Sequence, residues 1–447
     1  MKKILAFAVP VILLITGKLF AQDAAPEAPV IDFGNTAWVL TSSALVMFMT
    51  VPALALFYGG LVKRKNILSV LMQSFMTLAV VSIIWVTIGY TLAFGPGKGA
   101  LGGFIGSLDW AFLKNMDIVS PYYISQDKAP IAHLAFVVFQ MMFAVITPAL
   151  IIGAYAERLK FSSFFVFTIA WELLVYCPVA HSVWSADGWL YKLGALDFAG
   201  GTVVHVNAGI AALVAAIMLG KRRNLKPTPP HDLTYTMIGA AMLWFGWFGF
   251  NAGSSLAADN VAASAFMATN TATAMAAITW AVLEWIISKK PTMLGTATGA
   301  VAGLVAITPA AGFVDVAGAL AIGVAVSLVC FFFVMVVKGF FKYDDALDAF
   351  GVHGVGGILG AIMTGILATP AVKYATGAEY RGLLAGNPRQ LLIQLIAVGS
   401  TIVYSLIMTF VIFKVIDMVM KLRVTEKDEA IGLDVTQHNE RAYTVIE

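Results

Sequence analysis

The chain has 447 residues, of which 60% are hydrophobic and only 12% charged, with a formal net charge of +3 and a mean hydropathy of +0.86. That balance excludes a single soluble core and fits a multi-pass membrane protein. The excess basic residues sit in connecting stretches, where orientation signals belong, so the charge gives no ground for a nucleic-acid partner. Cys177 and Cys330 both lie in apolar runs. They read as small buried hydrophobes, with neither a disulfide framework nor a CxxC metal site.

At the N-terminus, Lys2 and Lys3 precede an apolar stretch from Ile4 to Ile15, followed by Thr16 to Ala21 and the polar, proline-containing segment Gln22 to Pro29. This is the pattern of a secretory signal peptide, with cleavage after Ala21 and an uncleaved helix as the rival reading. The division expected is a signal peptide over 1–21, a short external segment over 22–35, a membrane domain over 36–422 and a polar tail over 423–447.

The membrane domain contains eleven apolar runs long enough for about 30 Å of hydrocarbon. They are Trp38 to Leu61, Leu68 to Phe94, Ala132 to Ala156, Phe161 to Val183, Ala199 to Leu219, Thr234 to Phe250, Ala262 to Ile287, Met293 to Thr308, Val314 to Val337, Phe350 to Ala368 and Leu391 to Met420. Basic residues mark every second connection: Lys63-Arg64-Lys65, Arg158 with Lys160, Lys221-Arg222-Arg223 with Lys226, Lys289-Lys290, and Lys338 with Lys342. By the positive-inside rule these connections are cytoplasmic, which puts the N-terminus outside and the C-terminus inside. With an odd number of spans, ten helices divide into two inverted five-helix repeats and the eleventh stands alone.

Two histidines interrupt the apolar runs, each the eighth residue after an aspartate: Asp197-Phe-Ala-Gly-Gly-Thr-Val-Val-His205 and Asp345-Ala-Leu-Asp-Ala-Phe-Gly-Val-His353. Eight residues of helix rise about 12 Å. On oppositely directed helices each imidazole therefore nears the midplane from its own face, roughly 6 Å apart in depth. Desolvation keeps such rings neutral, and a mutual hydrogen bond would fix complementary tautomers. A dry path lined by neutral imidazoles suits a small polar molecule that donates and accepts hydrogen bonds, or a proton. A bare cation would call for carboxylates or carbonyl rings.

Glu172 and Glu284 also fall inside the runs. Glu284 lies near the inner end of its span and reads as snorkelling or interfacial. For Glu172 a structural contact and a role in conduction are both open. Gly295, Gly299 and Gly303 form GxxxGxxxG in the short eighth run, which serves close helix packing.

The segments Asp197 to His205 continuing through Val-Asn-Ala-Gly, Gly246-Trp-Phe-Gly-Phe-Asn-Ala-Gly-Ser254 and Phe350-Gly-Val-His353-Gly resemble the Amt/Mep/Rh ammonium transporter family, in its bacterial Amt branch. The likeness runs from Leu45-Val-Met-Phe-Met-Thr-Val-Pro52 and Phe57-Tyr-Gly-Gly60 to Gly432-Leu-Asp-Val435. It implies an all-α fold of eleven membrane helices with pseudo-twofold inverted halves, in a homotrimer with one pore per subunit in the bacterial inner membrane. No cofactor and no catalytic residue are implied.

By the same resemblance, Trp184 and Ser254 recruit ammonium outside with Phe143 and Asp197 in support. Phe143 and Phe250 form the gate, Phe139 and Trp247 belong to the vestibule, and His205 and His353 line the pore. An indole face compensates a desolvated cation by up to about 2 kcal/mol, and a hydroxyl accepts an N–H. Asp197 reads equally as the N-cap of its helix. The mechanism implied is deprotonation near the phenyl gate, passage of ammonia along the imidazoles and reprotonation inside, a separately moving proton being compatible with a histidine relay. The tail from Arg423 to Glu447 is implied to pack beneath neighbouring subunits and to work with a PII signal-transduction protein at the inner mouth. Two other classes are weighed: an ammonium sensor acting through a partner protein, and a membrane metalloenzyme using the two histidines, which lack convergent Cys, Asp or Glu ligands.

Overall fold

Hydrocarbon offers backbone N–H and C=O groups no partner, so a chain crossing it must satisfy them within each segment, as a helix does. A computed structural model of the protein describes residues 30–118, 121–122, 130–223 and 229–443. The expected signal peptide and Lys226 lie outside the described residues. The apolar runs form α1 (Phe33–Leu61), α2 (Arg64–Phe94), α3 (His133–Tyr155), α4 (Phe161–Leu193), α5 (Gly201–Leu219), α6 (Leu233–Ser255), α7 (Asn260–Ser288), α8 (Met293–Ile307), α9 (Val316–Phe341), α10 (Phe350–Leu367) and α11 (Pro388–Met420). Ten of these are long and apolar enough to cross a membrane, and α8, at 15 residues, completes the set of eleven. The backbone of α4 turns extended at Ser185, just after Trp184, before a last short turn.

The two halves repeat one another. In the first, α5 packs on α3; in the second, α10 packs on α8. The halves meet where α1 lies along α6 and where the starts of α5 and α10 cross, each on the body of the other. Both α5 and α10 begin with a π-turn, Gly201–Val206 and Phe350–Gly354. The glycine stripe of α8 meets α7 at close range: a Cβ on Gly299 would lie 2.5 Å from Trp280 Cβ, and one on Gly303 2.7 Å from Ala276 Cβ. Short side chains there let two backbones approach in a setting with no hydrophobic drive between helices.

The tail folds on its own protomer as α12 (Glu426–Ile431) and α13 (Leu433–His438). Lys160 N donates to Leu422 O, Val424 N to Arg158 O, Leu433 N to Asn66 Oδ1 and Ser69 N to Asp434 Oδ1, all at 2.8–3.0 Å. Glu429 accepts from Arg423 Nη2 at 2.7 Å and from Arg223 N at 2.6 Å. The tail thereby lies against the α1–α2, α3–α4 and α5–α6 connections, which are three of the basic ones. A further lock ties these to the α9–α10 connection: Arg222 reaches Asp344 through Nε and Nη2, both at 2.9 Å, and Glu157 through Nη1 at 2.8 Å. Burial raises both carboxyls, but the Arg222 guanidinium outweighs it and holds them below the ordinary carboxylate range.

Candidate functional site: a histidine pair between two cavities

Each histidine is set by the cap of its own helix. Asp197 accepts four backbone N–H bonds, from Gly200 and Gly201 on Oδ1 and from Thr202 and Val203 on Oδ2, at 2.6–3.1 Å. Asp345 does the same for α10 with Ala349 N at 3.1 Å and Phe350 N at 2.7 Å. These are the orphan donors of a helix start, and a carboxylate also suits the positive end of the helix dipole. Burial pushes the Asp197 carboxyl up against the pull of those four donors. Burial, with the charge of Asp348 beside it, pushes the Asp345 carboxyl up as well.

The two buried imidazoles come together with their planes nearly parallel. The His205 and His353 ring centroids are 5.3 Å apart with planes 12° from parallel. The mutual hydrogen bond expected from the sequence is not formed. Nδ1 and Nε2 of His205 and Nδ1 of His353 have no partner among the described residues. Glycine permits the approach: a Cβ on Gly209 would lie 2.2 Å from Gly354 Cα, and one on Gly357 2.9 Å from His205 Cβ.

On the side of His205 away from His353 the surroundings are aromatic. The His205 ring stacks on Trp247 at 5.5 Å and 16° and on Phe250 at 6.0 Å and 28°. Phe250 lies 4.4 Å from Phe143 at 42°, and Phe143 meets Phe139 at 4.9 Å and Trp184 edge-on at 5.7 Å. Trp247 sits beside His205, and its indole N–H donates to Thr308 Oγ1 at 2.9 Å. Three residues on from Trp247 along α6, Phe250 takes the position nearer Phe143.

Beyond Phe143 opens a cavity of about 490 Å³, lined by Phe139, Phe143, Trp184, Asp197 and Ser254, and also by Gln140, Phe313, Tyr374 and Tyr380. Trp184 Nε1 donates to Asp197 O at 3.0 Å, so the aspartate that caps α5 also anchors the indole. Ser254 Oγ donates to Phe250 O at 2.9 Å. Its proton is thus spent, leaving the oxygen lone pairs to accept an N–H from a guest.

On the other side of the pair, beside His353, lies a second cavity of about 230 Å³, lined by Tyr58, Arg222, Thr298, Asp348 and His353 among others. Sequence reasoning assigned nothing to Tyr58, Thr298 or Asp348. Asp348 stands inside the quoted Asp345 to His353 segment, but spacing alone does not tell which of its two acids faces the path.

Glu172 is fully buried in a π-turn of α4, lines neither cavity, and neither of its carboxyl oxygens has a partner among the described residues. Glu284 accepts from Thr292 N at 2.7 Å and from Thr292 Oγ1, an interfacial contact at the start of α8. Among the described residues no three His, Cys, Asp or Glu side chains are grouped to hold a metal ion.

The sequence profile of the Ammonium Transporter Family matches residues 37–443. A Bacillus subtilis protein named ammonium transporter is 52% identical over 412 residues, covering 92% of this chain and 99% of that one. The crystal structure of Saccharomyces cerevisiae Mep2 superposes with a TM-score of 0.82 at 36% identity, covering 89% of each chain. A structure titled Sensor Amt Protein gives a TM-score of 0.80 at 29% identity, covering 91% of this chain and 98% of that one. On this profile match, and on identity to relatives that are named as transporters and not as enzymes, the chain belongs to the ammonium transporter family.

Proposed function

We propose that the protein moves ammonium nitrogen inward across the membrane, recruiting the ion in the outer cavity and passing ammonia along His205 and His353. The single observation that carries this reading is the near-parallel imidazole pair, with open ring nitrogens, between the cavity beyond Phe143, read as the outer one, and the cavity beside His353, read as the inner one. Ammonium meets the indole of Trp184 and the acceptor lone pairs of Ser254 while it loses water. Phe143 and Phe250 close the way to a continuous file of water, so the ion gives up a proton to water in the cavity beyond Phe143 before it passes, that proton either staying outside or crossing separately. Neutral ammonia then avoids most of the cost of carrying charge through hydrocarbon, and its N–H groups and lone pair find the imidazole nitrogens. It is protonated again in the inner cavity. Potassium has no proton to give up and is excluded as an ion.

The same reading places the basic connections and the tail in the cytoplasm, the mature N-terminus outside after removal of residues 1–21, and three copies of the chain in a bacterial inner membrane. A PII-type protein is the partner at the inner face, where the folded tail and the Arg222 lock surround the pore mouth. The test is flux through purified protein in vesicles: ammonium evokes a signal that potassium does not reproduce. A potassium flux indifferent to ammonium contradicts the reading. N-terminal sequencing, mass measurement in mild detergent, and pull-down with PII across effector ratios check the processing site, the trimer and the partner in turn.

A second reading, a sensor acting through a partner protein, is favoured only by the similarity to the structure titled Sensor Amt Protein. A deletion strain that loses a nitrogen response while purified protein carries no flux would select it.

A further inference from the structure

The inner cavity holds one acid among its lining residues, Asp348. Five residues before His353, Asp348 has φ of +57°, a left-handed conformation that aspartate and asparagine tolerate better than other L-residues. Its side chain is 29% exposed, and Oδ1 lies 2.6 Å from Lys338 Nζ, itself 26% exposed, at the inner end of α9. Arg222, the cation on the cavity wall, is committed elsewhere, with its guanidinium on Asp344 and Glu157. Lys338 is thus the cation that answers Asp348, and its head group is a primary ammonium on a flexible stem.

That head group has the chemistry of the cargo. Ammonia that has passed His353 and regained a proton emerges into a small cavity whose lining acid already carries a tethered ammonium group. The carboxylate can receive either one, and Lys338 is displaceable, because a partly exposed ion pair is worth little. We propose that Asp348 is an inner-mouth binding site for the ammonium ion, which the departing cargo and the side chain of Lys338 occupy in turn. Lys338 then acts as a built-in competitor that keeps product from lingering beneath His353 and blocking the next turnover. The proposal rests on the transport reading above and adds to it a site for the product.

The experiment uses full-length protein in vesicles sorted so that the tail faces the lumen. Inward movement of isotopically labelled ammonium is measured while unlabelled ammonium in the lumen is raised, and the readout is the lumenal concentration that halves the inward rate. Removing the competitor with Lys338→Gln lowers that concentration about three- to fivefold, the factor matching loss of a partly exposed ion pair. Asp348→Asn, chosen because asparagine also tolerates the left-handed backbone, removes the saturable part of the inhibition. A half-inhibiting concentration in Lys338→Gln that equals or exceeds the unmodified protein's overturns the proposal, whatever the behaviour of Asp348→Asn. Absence of any ammonium flux in the unmodified protein would instead remove the transport reading itself, so the two failures are distinguishable.

Discussion

Gly357 lies against His205 so closely that a methyl group added to it would meet the histidine Cβ at 2.9 Å and Val206 N at the same distance. The inverted half repeats the contact, since a Cβ on Gly209 would fall 3.0 Å from the carbonyl carbon of His353. Each of these glycines stands four residues after the histidine of its own helix and makes room for the histidine of the other. The distance between the rings is therefore set by backbone contact as much as by the rings themselves.

Substituting Gly357→Ala forces α5 and α10 apart. Overpacking of this kind costs about 1–3 kcal/mol, and the separated imidazoles no longer form a continuous path. Ammonium flux is expected to fall at least about fivefold, while thermal unfolding of the purified protein drops by only a few degrees. Full flux in a folded Gly357→Ala protein would show that the spacing of the rings does not matter.

Much of this arrangement is legible in the sequence. The Asp-to-His spacing of eight, met twice on oppositely directed spans, marks the pair and its common depth, because a carboxylate suits a helix start and an imidazole at mid-membrane is costly unless it has a task. All eleven spans stand out as apolar runs, including the 15-residue α8, whose glycines announce close packing. What the pattern does not carry is orientation. Both histidines sit in π-turns, Gly201–Val206 and Phe350–Gly354, and an apolar run does not reveal a π-turn. Trp247 and Phe250 are three residues apart on one helix, yet one covers His205 while the other meets Phe143. The Arg222 lock is hidden because its partners Glu157 and Asp344 are distant in sequence.

Asp197 joins two tasks in one residue, capping α5 with its carboxylate and holding Trp184 with its carbonyl. Asp197→Ala leaves four helix-start donors without a carboxylate and is expected to cost at least about 2 kcal/mol. Asp197→Asn keeps one acceptor oxygen and falls between. Flux and unfolding temperature are expected to decline in the order native, Asn, Ala. Native stability in Asp197→Ala would contradict the capping role.

Arg222 is flanked by side chains of Glu157 and Asp344 that are 3% and 8% exposed. Arg222→Gln leaves both carboxylates unpaired at a cost of about 3 kcal/mol, the lower end for buried pairs because Arg222 itself is partly exposed. Limited proteolysis of the tail and of the α5–α6 connection should accelerate in the variant. An unchanged cleavage rate would mean that the lock does not hold these connections.

The same lock sets a response to acid. Glu157 and Asp344 are held below the ordinary carboxylate range in the folded protein, so their stabilising contribution is present above that range and is lost as pH falls through their lowered values. Acid unfolding, followed by tryptophan fluorescence, should therefore begin at higher pH in Arg222→Gln than in the unmodified protein. Coincident acid transitions would rule out the linkage.

The central claim is that nitrogen crosses along the paired rings of His205 and His353. It is tested most directly by the current or lumenal pH change on an ammonium jump in vesicles, comparing the unmodified protein with a His205→Ala, His353→Ala double variant shown to be folded. The signal is expected to fall tenfold or more, or to lose its discrimination against potassium. An undiminished, ammonium-selective signal in the double variant would place the path elsewhere.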